Sequence, residues 1–257
     1  MVETAEQSVG LMNEMVDSIR CIKVSPDGHH LASGDEVGNI RIHTLETPEL
    51  QQLKFLESHD SEVISLAYST AMVSAKNRNE GDGSGTRQRY LLASGGRDKQ
   101  VLIYDTEQNY EAFMNLDHHN STITALQFNE YGTMDEKSRR LSGTPTYDKH
   151  VELISSSADR NLISKKLDLA RFQVHANDLA MAADDAEKPL FKLANTEICK
   201  DKILSMDVAS QAQYLVTGHD KSLALWKLPK FEKVWEKRVA TIEKEEQKGQ
   251  GQGSGTN

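Results

Sequence analysis

The sequence predicts an all-β fold built from about four copies of one four-stranded unit. One pattern carries this most directly: LASGDEVGNIRIHTL (31–45), LLASGGRDKQVLIYD (91–105), LISSSADRNLISKKL (153–167) and YLVTGHDKSLALWKL (214–228) share a single plan. Each is an apolar run ending in small residues, then a polar turn, then a second apolar run, which is the pattern of a β-hairpin. A second observation is the alternating segment ahead of each hairpin: Ile19-Cys21-Ile22-Val24, Val63-Ile64-Leu66-Tyr68, Ile123-Ala125-Leu126-Phe128 and Ile203-Leu204-Met206-Val208. Period-2 alternation describes a half-buried strand. The third is spacing. Removing polar insertions leaves units near the ~40–45 residues of a four-stranded propeller blade.

Taken in chain order, residues 1–15 form an N-terminal extension and 16–240 hold the repeats, at about 16–57, 58–117, 118–195 and 196–240. Insertions fall near 75–89, 129–150 and 170–190, and 241–257 reads as a disordered tail. The fourth strands are the faintest element, placed near Leu53–Leu56, Phe113–Leu116, Phe191–Leu193 and Val234–Val239.

A formal charge of -9 and a pI near 5.5 argue against a nucleic-acid binder, which gathers phosphates on a basic face, and point to protein partners. Two cysteines, Cys21 and Cys199, lie far apart beside apolar runs, so no disulfide framework is indicated and a reducing, cytoplasmic setting fits. The first residues lack a signal peptide's basic and apolar regions, and no apolar run approaches the ~20 residues of a membrane span.

The hairpins resemble the WD40 repeat family: a Ser/Thr in the first strand, an Asp in the turn, an aromatic residue in the next strand, and a His about four residues before the unit's first strand. The second unit carries all four, as His59, Ser94, Asp98 and Tyr104. The resemblance implies that the Asp ties His, Ser/Thr and aromatic residue into one structural network. His119, Ser155 and Asp159 repeat it with Lys165 at the aromatic position; Thr217, Asp220 and Trp226 repeat it with Cys199 where the His would fall. In the first unit Val37 and Met15 replace the Asp and the His. The strings SIRCIKVSPDGHHLASGDEVGNIRIHTL, LLASGGRDKQVLIYDTEQNYE and DHHNSTITALQFN further resemble the mitogen-activated protein kinase-binding protein 1 and microcephaly-associated WD repeat group. That likeness implies a partial WD40 β-propeller, about four blades of a larger ring, acting as a scaffold in stress-activated MAP kinase signalling or at the centrosome and spindle pole.

Other chemistry is absent from the pattern. His59 and His119 read as network residues rather than bases or metal ligands; neither His29-His30 nor His118-His119 is completed by a Cys or carboxylate arrangement. GDGSG (81–85) lacks the Gly-Lys-Ser/Thr ending of a phosphate loop. No catalytic, metal or cofactor residue is assigned, and the chain reads as a non-enzyme. Thr144-Pro145 after Arg139-Arg140 marks a candidate phosphorylation site. Partner contacts fall beside the turns and strand starts, at Asp60, Glu62, Arg97, Asn120, Lys202 and His219. Two alternatives remain open: a structural component of a cilium or flagellum, and a propeller-based enzyme with carboxylates or His lining the central channel. An open arc exposes apolar flanks, so self-association is expected.

Overall fold

A four-stranded sheet with alternating apolar residues has two faces to cover, and this chain covers them by stacking its sheets side by side. The computed structural model describes residues 17–70, 72–73, 88–116, 119–134, 147–169, 172, 190–209 and 213–238. Blade 1 consists of β1 (Ile19–Val24), β2 (His30–Asp35), β3 (Asn39–Thr44) and β4 (Gln52–Glu57), hydrogen-bonded in that order. Blade 2 begins with β5 (Val63–Tyr68); a two-residue ladder, β6 (Met72–Val73) with β7 (Gln88–Arg89), precedes β8 (Leu91–Gly96), β9 (Val101–Asp105) and β10 (Glu111–Asn115). Blade 3 is β11 (Ile123–Met134), β12 (Tyr147–Ser157), β13 (Asn161–Leu167) and β14 (Phe191–Ile198). Blade 4 is β15 (Ile203–Ala209), β16 (Tyr214–His219), β17 (Ser222–Lys227) and β18 (Glu232–Arg238). Every pairing among the described residues is antiparallel. Among the described residues the fold is a β-propeller arc of four blades that does not close into a ring.

Neighbouring blades share apolar layers, and these layers are the core. Between blades 1 and 2 lie Ala32, Ile40 and Ile42 against Val63, Leu66, Tyr68, Leu92 and Tyr104. Between blades 2 and 3 lie Ala93, Val101 and Ile103 against Ile123, Leu126 and Phe128. Ile154 and Leu162 of blade 3 meet Ile203, Leu215 and Trp226 of blade 4. Each innermost strand carries a register shift at the same repeat position, between Ile19 and Cys21, Val63 and Ser65, Ile123 and Ala125, and Ile203 and Ser205. Such a bulge increases strand twist, which suits the crowded inner edge of a propeller.

One stretch is more regular than its composition suggests. Residues 129–150 read as a polar insertion, yet β11 and β12 stay paired from Asn129↔Glu152 to Met134↔Tyr147. Cross-strand contacts support the extension: the Tyr131 hydroxyl donates to Glu152 Oε1 at 2.6 Å, and the Tyr131 ring packs on His150 at 5.1 Å, while the Asn129 side-chain amide is buried without a hydrogen-bond partner among the described residues. Phe172 and Leu190, inside or beside the third insertion, are buried in the core between blades 2 and 3. The extension 1–15, the tail 241–257, Thr144 and most of 75–89 and 170–190 lie outside the described residues.

Candidate functional site

Four hairpin turns and the strand starts beside them form one rim of the arc, and each turn must satisfy several backbone N–H groups where little secondary structure can. Blade 2 does this with a relay. His59 Nδ1 lies 3.0 and 2.9 Å from the two Asp98 carboxylate oxygens, and its Nε2 lies 2.7 Å from Ser94 Oγ. Burial holds the His59 imidazole below its ordinary pKa, with the Asp98 charge offsetting part of that effect. A neutral ring then donates from Nδ1 to Asp98 and accepts at Nε2 from the Ser94 hydroxyl. The Tyr104 hydroxyl, 3.2 Å from Ser94 Oγ, donates in turn. Asp98 also accepts from the backbone N–H groups of Asp60 and Gln100, each at 3.1 Å. Local geometry permits the approach: a Cβ on Gly96 would stand 2.4 Å from Asp98 Oδ1 and 2.6 Å from His59 Nδ1. Lys99, following the anchor, takes a left-handed φ of 77°.

In blade 3, His119 Nδ1 lies 3.2 Å from Asp159 Oδ2 and its Nε2 2.8 Å from Ser155 Oγ. Asp159 accepts from the N–H groups of Asn120 at 2.9 Å and Asn161 at 2.8 Å. Burial opposes ionisation of Asp159, but these donors and His119 outweigh it and hold its pKa below the usual range. Arg160 repeats the left-handed turn at φ 74°. Lys165, at the aromatic position, is buried.

Blades 1 and 4 solve the same problem with different residues, and here the structure departs from the sequence reading. Val37 replaces the anchor in blade 1, but Asp35, two residues earlier, takes over. Its Oδ1 accepts from the N–H groups of Val37, Gly38 and Asn39 at 3.1, 2.9 and 2.8 Å, and its Oδ2 from Asn39 Nδ2 and Arg41 at 3.1 and 2.7 Å. Gly38 is required at φ 113°, because a Cβ there would stand 2.0 Å from the His59 carbonyl oxygen. In blade 4, Asp220 stands outside the network: it is exposed, and no turn N–H among the described residues reaches it. His219 substitutes. Trp226 Nε1 donates to Thr217 Oγ1 at 2.8 Å, Thr217 Oγ1 lies 3.0 Å from His219 Nε2, and His219 Nδ1 lies 3.2 Å from the Lys202 carbonyl oxygen. A histidine from the turn itself therefore replaces the one missing at Cys199, and a backbone carbonyl replaces the aspartate.

The residues singled out as partner contacts all flank these turns. Asp60, Asn120 and Lys202 are exposed at the starts of blades 2, 3 and 4. Glu62 joins two arginines: its Oε1 pairs with Arg20 at 3.1 Å and its Oε2 with Arg97 at 2.9 Å, while Arg20 also reaches Glu36 at 3.1 Å. This Glu36–Arg20–Glu62–Arg97 row crosses from blade 1 to blade 2. His219 is half-buried and committed to the turn, so it offers little to a partner. Arg89 was not anticipated. It sits at the end of a stretch read as loop, yet it is buried, stacks over Phe172 at 4.2 Å and donates from Nε to Asp105 Oδ1 at 3.0 Å. The only sequence signal was its position just before the apolar run of β8.

The four-stranded blades, two of them with His–Ser–Asp turns, are what the WD40 resemblance implies, and the family model for "WD domain, G-beta repeat" matches residues 13–43, which overlap blade 1. The chain is 34% identical over 166 residues to WD repeat-containing protein 62 of Mus musculus, covering 65% of this chain and 9% of the relative. It is 28% identical over 211 residues to mitogen-activated protein kinase-binding protein 1 of Mus musculus, covering 82% of this chain and 11% of the relative. The chain thus spans about a tenth of these relatives' length. Among solved structures, that of U3-55K superposes with a TM-score of 0.55 at 21% identity, covering 85% of this chain and 51% of the other.

Proposed function

We propose that this arc is a protein-interaction scaffold module in stress-activated MAP kinase signalling or spindle-pole organisation, working in the cytoplasm or at the centrosome. The observation that carries the reading is the rim. The buried relays fix the turn backbones, so the exposed side chains of Asp60, Arg97, Asn120 and Lys202 are held on a rigid base. Rigid presentation lowers the ordering cost of binding, which favours a contact surface over a mobile loop. The pathway comes from likeness to a relative named as a MAP kinase-binding protein. The reading is non-catalytic, because the His59–Ser94–Asp98 and His119–Ser155–Asp159 sets, the arrangements that could do chemistry, are engaged in holding their turns.

Proximity labelling in cells, comparing the parent with an Arg97→Glu, Lys202→Glu double variant, tests this. Kinases of the stress-activated pathway or spindle-pole proteins are expected with the parent and reduced at least ~10-fold with the variant at equal folded level. A labelled set containing neither class, or one unchanged by the variant, refutes the reading.

A further inference from the structure

At the end of blade 3 away from its relay turn, two neighbouring strands part. β12 stays paired with β11 out to Tyr147, whereas its ladder with β13 stops at Glu152↔Lys166. A cavity of about 340 Å³ occupies the wedge, lined by Lys149, Lys166 and Lys192, by Asp168, and by Leu167 and Leu169. The three lysines come from three successive strands, β12, β13 and β14, so the sheet gathers charges that the sequence keeps apart. Lys166 and Lys192 stand directly opposite each other across β13 and β14. Like charges in that position repel. Carboxylates answer them only in part. Lys149 pairs with Glu130 at 2.9 Å and Lys192 with Asp168 at 3.1 Å, with 44% and 57% of the two lysine side chains exposed, and Lys166 forms no ion pair among the described residues. Three lysines and one aspartate, with His150 counted as neutral, leave a local surplus of two positive charges in a chain whose net charge is -9.

We propose that this cavity binds a phosphorylated serine or threonine of a partner protein. A phosphate monoester carries about -1.5 to -2 charges at pH 7 and three acceptor oxygens, which matches both the surplus and the number of lysines. Exposed pairs such as Lys149–Glu130 and Lys192–Asp168 contribute little, so each ammonium can turn to a stronger acceptor. The volume lies at the lower end of the ~300–1,000 Å³ that ligand sites use. Leu167 and Leu169 favour a peptide over free phosphate: they supply an apolar wall that the residue beside a phosphoserine covers and that inorganic phosphate leaves bare. A net charge of -9 repels a polyanion such as nucleic acid, whereas one phosphate meets only the local field. The site lies at the opposite end of β12 and β13 from Ser157 and Asn161, which flank the Asp159 turn, so it is separate from the rim and independent of the scaffold reading.

Fluorescence anisotropy on the 257-residue chain, with a labelled peptide pool degenerate except for a central phosphoserine or phosphothreonine, tests the site. Saturable binding is expected, at least ~10-fold tighter than for the unphosphorylated pool, because charge-assisted hydrogen bonds are at stake. Lys166→Gln and Lys192→Ser should each weaken it at least ~10-fold for the same reason. Lys166→Arg should retain it, and Arg97→Glu on the opposite rim should leave it unchanged. Lys192 is exposed on the outermost strand, so Lys192→Ser, with a far-UV spectrum matching the parent, reads the site even where Lys166→Gln perturbs blade 3. Inorganic phosphate should displace the pool only at concentrations well above the pool's own dissociation constant; displacement at an equal concentration marks a free-phosphate site and overturns the peptide assignment. No saturable binding, equal binding of the two pools, tighter binding of a short single-stranded DNA, insensitivity to Lys192→Ser, or an equal loss with Arg97→Glu would overturn the proposal.

Discussion

Replacing Asp98 by Ala takes the acceptor from three donors at once: His59 Nδ1, the Asp60 N–H and the Gln100 N–H. The backbone groups sit at a partly exposed turn and regain water. His59 does not, because its side chain is 0% exposed. The cost is therefore dominated by one charge-assisted hydrogen bond and the unpaired imidazole it leaves, about 2–3 kcal/mol in total. For a chain of this size that lowers the unfolding midpoint by roughly 4–12 °C. Circular dichroism melts at pH 7.5, where His59 is neutral, read this directly. Asp220→Ala is the internal control. It carries the same repeat position in an exposed setting without turn donors, and its effect should stay within about 0.5 kcal/mol. Equal shifts for the two variants, or none for Asp98→Ala, would show that the network does not distinguish them and would refute the reasoning.

Asp35→Ala should cost about 3–5 kcal/mol in urea unfolding, more than Asp98→Ala, since it leaves three turn N–H groups and the largely buried Arg41 guanidinium without their acceptor; an effect under about 1 kcal/mol would show that Asp35 does not anchor the blade 1 turn. On pH, the His59 pKa is lower folded than unfolded, so the unfolded chain binds the extra proton, and stability is complete above about pH 6.5 and falls as pH drops through the folded value. His59→Gln should flatten the decline in melting temperature between pH 7.5 and 5.5, leaving the smaller part from His43, whose pKa burial also lowers; an unchanged slope contradicts the assignment. Asp35 and Asp159, also held below their ordinary range, add a separate loss below about pH 4.

How much of this was legible in the sequence follows from what each feature depends on. Strands such as β3 and β17 were readable because burial alternates along them, whereas β4, β10, β14 and β18 are largely exposed and left only faint apolar signals at the places where they fall. The turn chemistry was readable where one residue type is needed at one spacing, as with His59, Ser94 and Asp98. It failed where the requirement is only for an acceptor within reach. Asp35 reaches the same N–H groups from two residues earlier, and His219 reaches Thr217 from the turn, so position-by-position comparison reports a loss where the physics was conserved. Asp220 was misread for the converse reason: it keeps the expected residue without the donors that give it meaning. The ladder beyond Asn129 was hidden because its stabilising pairs, such as Tyr131 with Glu152, are polar and look like loop composition.

The same reasoning locates where partner recognition has room to evolve. The position just before the repeat's aspartate position (Val37, Asp98, Asp159 and Asp220) is Glu36, Arg97, Ala158 and His219 in successive blades, so the fold sets no single requirement there. In blade 4 the side chain has been drawn into the relay. In blades 1 and 2 it belongs to the Glu36–Arg20–Glu62–Arg97 row, whose Arg97–Glu62 pair is 61% and 21% exposed. An ion pair that accessible contributes at most about 1 kcal/mol. Its members can therefore exchange one another for a partner's acidic or basic group at little cost to the fold, whereas His219 cannot leave Thr217 without depriving a buried hydroxyl of a hydrogen-bond partner. The scaffold reading thus assigns binding to the rim of blades 1 and 2, and Arg97→Glu should weaken partner capture more than Lys202→Glu when the two are measured separately.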